Sequence, residues 1–251
     1  MKKLITLLLL AFSAITITAQ TKEELIAKAQ KFKSEYNYKE ALPLYQSLLK
    51  SDSNNVAILH GASYIYTKYG YYFAPDAEKM KYYTTAGYLA SKAIKLDEKS
   101  GEAHCAYAMA LGRIYENASS SQKIANSKVI KSELDKAIQY SPRLAGAYHV
   151  LGRWHRTIAG FNMFEKAMIN TFFGGVPPGG TYDDAIKSFM TAISIEPKFM
   201  LHKYELAVTY NDMGKTAEAK AWLKLCLEIT PVSPDDFKAK KDAEALLKKL
   251  D

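Results

Sequence analysis

The sequence predicts an all-α chain: a right-handed α-solenoid of about five helical hairpins with insertions, ending in a capping helix. Three observations carry that prediction. Apolar residues recur at the i, i+4, i+7 spacing of one helix face along nearly the whole chain. One such set repeats at a fixed offset of 34 residues, Ala185, Phe189, Ala192 and Pro197 against Ala219, Leu223, Cys226 and Pro231. Eighteen tyrosines against only eight prolines and thirteen glycines in 251 residues favour long helices over a turn-rich β chain. At 48% hydrophobic and 24% charged the composition is ordinary for a globular protein, which excludes disordered, collagen-like and fibrous classes.

Taken in chain order, Met1-Lys2-Lys3 is a positive start, Leu4 to Ile17 an apolar run, and Thr18-Ala19-Gln20 a small-residue cleavage region. The apolar run is about 14 residues, short against the ~20 needed to span a bilayer, so residues 1–20 read as a cleaved secretory signal of bacterial style. That reading places the mature chain, residues 21–251, as one domain in a periplasm or outside the cell, with no stable transmembrane segment after cleavage. Without Lys2 and Lys3 the formal charge falls from +8 to +6. Lysines are interleaved with acids rather than gathered into a stripe, so no nucleic-acid partner is expected.

The helical units follow. Leu25, Ala29 and Phe32, then Ala41, Tyr45 and Leu48, form a unit near 22–55. Pro43 lies inside its second helix and predicts a kink or a late start. Leu59, Ser63 and Tyr66 with Ala86, Ala90 and Ala93 form a unit near 56–100, and Ala108 and Leu111 with Leu134, Ala137 and Pro142 a unit near 101–144. Units near 145–199 and 200–233 carry the clear 34-residue copies, the period of the tetratricopeptide repeat, a helix–turn–helix. Gly152 and Ala207 in the first helices, and Ala185 and Ala219 in the second, are the small residues that let paired helices approach. Units two, three and four exceed the period by about 11, 10 and 21 residues. Ser233-Pro234-Asp235-Asp236 then supplies an N-cap, a first-turn proline and first-turn acids. Ala239, Ala243, Leu246, Leu247 and Leu250 make the apolar face of a cap spanning 234–251.

The insertion in the fourth unit is the least generic segment. Leu151-Gly152-Arg153-Trp154 is followed by a phenylalanine-rich stretch from Phe161 to Phe173. A Gly174-Gly175-Val176-Pro177-Pro178-Gly179-Gly180 turn and Thr181-Tyr182-Asp183-Asp184-Ala185 come next. Ala219-Lys220-Ala221-Trp222-Leu223-Lys224 continues the pattern in the last unit. In this order, over roughly residues 80–250, the motifs resemble the regulator of microtubule dynamics family. The resemblance implies a tetratricopeptide-like helical domain without enzymatic activity. It also implies a binding role, with relatives at microtubules or membrane contact sites and one branch whose helical domain holds phospholipid. For an exported chain the fold and the binding role are expected to carry over, and microtubule regulation itself is not.

Candidate chemistry is sparse. The glycine–proline turn lacks the lysine and hydroxyl of a phosphate loop and reads as a forced turn, with Thr181 capping the next helix. No histidine pair has the i, i+4 spacing of a helical metal site, so no metal or cofactor is expected. Cys105 and Cys226 sit at packing positions, and no catalytic constellation appears, so the protein reads as not an enzyme. Repeat geometry nominates a concave groove lined by His60, Tyr64, Met109, His149, Arg153, Arg156, Tyr204, Val208 and Asn211. Ala57, Thr67, Glu102, Cys105, Gly112, Gly146 and Leu201 share that face. Phe161, Phe164, Met168 and Phe172 fall on one helical face and nominate an apolar wall. The leading expectation is a binding or scaffold protein holding a peptide or protein partner in the groove. The alternative is a lipid or amphiphile, with Arg153 and Arg156 at its head group unless both pair within the chain.

Overall fold

The computed structural model describes residues 21–172 and 180–251, without the side chains of Ser120, Lys166, Met168 and Phe172. The expected export segment and most of the glycine–proline turn lie outside the described residues. Twelve helices follow one another among those residues, with no strand: α1 (Lys22–Ser34), α2 (Tyr38–Ser51), α3 (Val56–Tyr72), α4 (Asp76–Leu96), α5 (Gly101–Ile114), α6 (Ser120–Tyr140), α7 (Ala145–Ala159), α8 (Met163–Phe172), α9 (Tyr182–Ile195), α10 (Met200–Asp212), α11 (Thr216–Leu227) and α12 (Pro234–Leu250). Helices α1 and α2, α3 and α4, α5 and α6, α7 and α9, and α10 and α11 pack as pairs, and α12 lies on α10 and α11.

The repeat positions are where the packing is tightest. Ala185, Phe189 and Ala192 of α9, and Ala219, Leu223 and Cys226 of α11, are wholly buried. So are Ala41 and Leu48 of α2 and Ala86, Ala90 and Ala93 of α4. Gly152 has a strict steric reason: a Cβ there would stand 2.8 Å from the Phe189 ring, so α7 approaches α9 as closely as it does only with glycine at that position. The same logic holds at Gly61, where a Cβ would meet Tyr45. Prolines 142, 197 and 231 each follow a helix end.

Local chemistry fixes the boundaries. Thr21, Ser119 and Ser233 each close a capping box with the residue three positions on, and Asn55, Ser100 and Thr181 cap with their side chains. At α9 the Asp184 carboxylate accepts from the Thr181 hydroxyl at 2.7 Å rather than from the cap backbone. The late start expected at Pro43 is not what forms. Helix α2 begins at Tyr38 and runs through Pro43, since proline within the first turn and a half forfeits a single hydrogen bond while the Tyr38, Ala41, Tyr45 and Leu48 face stays buried.

Helix α8 is the insertion, and α7 pairs directly with α9 rather than with α8. Ile169 is fully buried, whereas Phe164 is 73% and Met163 89% exposed.

Candidate functional site

Helices α3, α5, α6, α7, α10 and α12 surround a cavity of about 300 Å³, the lower end of the range for small-molecule sites. Its lining is apolar at Met109 of α5, Ile130 of α6, Val150, Trp154 and Ile158 of α7, and Phe161 beyond it. The lining also carries polar and charged groups: Lys68 and Tyr71 of α3, Arg113 of α5, Glu116, Lys123 of α6, Arg153 of α7 and Asp235 of α12. Four cations face two carboxylates, so the lining carries an excess of positive charge.

Most of these charges are held within the protein. The Arg113 guanidinium lies 3.7 Å from the centre of the Tyr71 ring and donates to Glu116 at 3.0 Å. Arg156 pairs with Glu205 at 2.7 Å and lies 3.7 Å from Asp212. Arg153 is only 3.6 Å from Glu205 and its side chain is 41% exposed, so its charge is the more available of the two. Burial pushes the Glu205 carboxyl up, but Arg153 and Arg156 outweigh it and hold the group below the usual range.

Of the expected groove residues, Met109, His149 and Arg153 line the cavity, together with Thr67, Gly112 and Leu201 from the same register. The others stand elsewhere. His60 is half-buried near Lys33 and Glu102, and burial, with Lys33 assisting, lowers its pKa to about 4. Tyr64 lies under the Lys33 and Lys68 ammonium groups, 5.2 and 5.5 Å from its ring centre. Both arginines pair with Glu205, Arg156 at 2.7 Å and the more exposed Arg153 at 3.6 Å, so a head group bound by both is not available and Arg153 is the more accessible of the two. Tyr204 packs with the apolar cluster of α10, α11 and α12. Val208 and Asn211 are partly exposed on α10, outside the lining. Within the expected apolar wall, Phe161 lines the cavity and Phe164 faces solvent; the Met168 and Phe172 side chains lie outside the described residues.

Four histidines are built into the structure by hydrogen bonds. His149 Nδ1 and His202 Nδ1 lie 2.9 Å apart, one donating and one accepting, so at most one of the two protons is present there. Burial, then His202 and Arg153, push His149 well below the usual histidine range. His155 Nδ1 accepts from the Gly180 amide at 2.8 Å, and His104 is held by Glu133 and the Glu98 carbonyl. Both cysteines are free and buried; burial pushes each thiol up to about 12, away from thiolate chemistry. Among the described residues no three His, Cys, Asp or Glu side chains stand where they would hold a metal ion. No helix among them is long and apolar enough to cross a membrane.

Sequence reasoning missed a second constellation at the edge of the cavity. Asp235 is 2% exposed. Both of its oxygens accept from Lys68 Nζ at 2.8 Å, the Tyr72 hydroxyl donates to Oδ1 at 2.6 Å, and the Tyr38 hydroxyl donates to Oδ2 at 3.1 Å. Burial raises the carboxyl's pKa, but Lys68 and the two phenols outweigh it and hold it below the usual range. Next to it, Asp236 accepts from the amides of Met200, Val232 and Ser233. The only sequence signal was a surplus: one first-turn acid suffices for the Ser233 cap, and the chain supplies two.

Against known proteins, the family model for regulator of microtubule dynamics protein 1-3 matches residues 25–251. Regulator of microtubule dynamics protein 3 of Mus musculus is 31% identical over 158 residues, covering 62% of this chain and 33% of that protein. Regulator of microtubule dynamics protein 1 of Bos taurus is 29% identical over 160 residues, covering 63% and 50%. The match thus spans a third to a half of the length of these relatives. Among solved structures, a thermophilic TPR protein from Thermus thermophilus superposes with a TM-score of 0.66 at 17% identity, covering 90% of this chain and 99% of that one. The fold is therefore a tetratricopeptide-like α-solenoid.

Proposed function

The chain belongs to the regulator of microtubule dynamics protein family, and from that premise we propose that it is a non-catalytic binding domain whose central cavity holds an anionic amphiphile. The observation that supports this reading is the cavity's mixed lining, apolar at Met109, Ile130, Trp154 and Phe161 and cationic at groups that include the partly exposed Arg153. An acyl chain fits the apolar residues and a carboxylate or phosphate the cationic ones. Only part of each relative is matched, so the microtubule role in their names stays with them.

Native mass spectrometry of the gently purified chain, with solvent extraction of bound material, tests this. A stoichiometric amphiphile is expected, retained by wild type and lost from Arg153→Glu and Met109→Asp variants that still fold. A bare protein mass would move the assignment to the second reading, a peptide or protein partner on the concave face. That reading is supported by the tetratricopeptide-like scaffold and by the exposed pair Met163 and Phe164, an apolar patch beside the cavity residue Phe161. The proposal includes export, with residues 1–20 removed; amino-terminal sequencing of protein recovered from the cell envelope or medium is expected to begin near Gln20–Thr21, and an intact Met1 would overturn it.

A further inference from the structure

An open solenoid keeps its first and last units apart, but here they touch. Asp235, at the start of α12, bonds to Tyr38 of α2 and to Lys68 and Tyr72 of α3. Asp236 fixes the same turn to the amide of Met200, the first residue of α10. Tyr36, in the turn before α2, stacks on Phe199, in the turn before α10, with ring centres 6.0 Å apart.

Tyr36 adopts the left-handed conformation at φ 58°. Its turn is a Schellman closure, with Tyr36 N donating to the Lys33 carbonyl and Asn37 N to the Phe32 carbonyl. The equivalent turn of the last hairpin places Gly214 there, at φ 73°. A tyrosine accepts that strained backbone where its ring gains the contact with Phe199.

Between the last two hairpins the Arg156–Glu205 and His149–His202 contacts stand beside an apolar cluster of Phe189 and Leu206, whereas the first and last units meet without one. The apolar cluster of the first units, around Tyr38, Leu48, Ile58 and Ile65, and that of the last, around Met200, Leu223 and Ala243, share no residue. What spans the gap is an ion pair, three hydroxyl or ammonium donors and one ring stack. Polar contacts of this kind exchange for water when they part, whereas an apolar joint must expose its core to do so.

The joint also borders the cavity. Lys68 and Asp235 belong to both. Phe199 packs edge-on against His202 at 4.8 Å, and His202 bonds His149, which faces the cavity.

From this geometry we infer that the first turn of α12 is a gate on the central cavity, latched in the closed state by Asp235 on Lys68, Tyr38 and Tyr72 and opened by its withdrawal from α2 and α3. The gate rests on the proposed binding reading only for the identity of what passes it, and its test uses no ligand.

The test is acrylamide quenching of Trp154, a cavity-lining residue, in the full chain carrying Trp222→Phe so that a single tryptophan reports. Hydrogen exchange of the α12 first turn is followed in parallel. Asp235→Asn is expected to raise both the quenching constant and the exchange rate severalfold, with helix content and cooperative unfolding retained. Tyr36→Gly, which relieves the strained turn and removes the ring stack without leaving a buried charge, is expected to raise both by a smaller factor. It stands as the deciding variant if Asp235→Asn fails to fold. Replacing the pair by Lys68→Met with Asp235→Leu, which makes the joint apolar, is expected to bring both below the Asp235→Asn values. Unchanged exchange at α12 would overturn the latch. Faster exchange with unchanged Trp154 quenching would overturn its control of the cavity.

Discussion

Within the fourth hairpin, Gly152 and Phe189 meet with no room for a methyl group; at the seam between the first hairpins and α12, a carboxylate, an ammonium and two phenols meet instead. The first joint is short in sequence and entirely apolar. The second joins residues 163 to 197 positions apart and is almost entirely polar. Repeat stacking buries an apolar contact between the last two hairpins, beside polar ones such as Arg156–Glu205, and stability accrues contact by contact. The seam is an additional contact that the stacking does not require, which is why its chemistry differs and why it is suited to opening while the hairpins stay folded.

The largest effect should come from breaking the apolar joint. Phe189→Ala is expected to cost about 3–5 kcal/mol, read in urea as a lower midpoint with an unchanged slope. A polar seam breaks differently. Asp235→Leu alone strands the Lys68 ammonium and should cost about 3 kcal/mol, while the double change with Lys68→Met should recover most of it. A double-mutant cycle that finds the two changes additive would remove the seam from the account. Smaller again is Gly152→Ala, expected to cost about 1–3 kcal/mol by overpacking Phe189; a neutral result would mean that α7 and α9 separate more easily than the packing implies.

Acid should discriminate the two regions further. His149 and His60 are held neutral in the folded chain, His60 down to a pKa of about 4, while in the unfolded chain they protonate near 6.5. The unfolded state therefore binds more protons through that window, so stability falls as pH drops below about 6.5 and is flat above it. His60→Gln should flatten part of the slope in melting temperature against pH. The Asp235 latch behaves otherwise: its pKa is depressed, so its contribution persists until the pH passes below the usual carboxylate range. The smallest effect is expected at Phe164→Ser, within about 0.5 kcal/mol, because that ring is exposed.

The same contrast governs what could be read from the sequence. Ala185, Phe189, Ala192 and their partners 34 residues on were legible because periodicity records which face of a helix is buried. Of the groove register, Met109, His149 and Arg153 stand around the cavity, and His60, Tyr64, Arg156, Tyr204, Val208 and Asn211 do not. Closure was not legible, because nothing periodic relates Asp235 to Lys68; locally, an acid in a first turn is fully explained by the helix dipole. The Arg156–Glu205 pair hid likewise, since α10 reaches α7 only once the hairpins are stacked. In α8, Phe164 of the expected apolar wall is exposed while Ile169 is buried: periodicity names a face, and the surrounding structure decides which residues are covered.

The central claim, that a polar seam opens while the apolar repeats hold, is tested most directly by native-state hydrogen exchange of the unmodified chain across low urea concentrations. The account predicts that amides in the first turn of α12 exchange through an opening with lower free energy and shallower urea dependence than those around Phe189 and Leu223. Merging of all these amides onto a single global unfolding line at every urea concentration would contradict it.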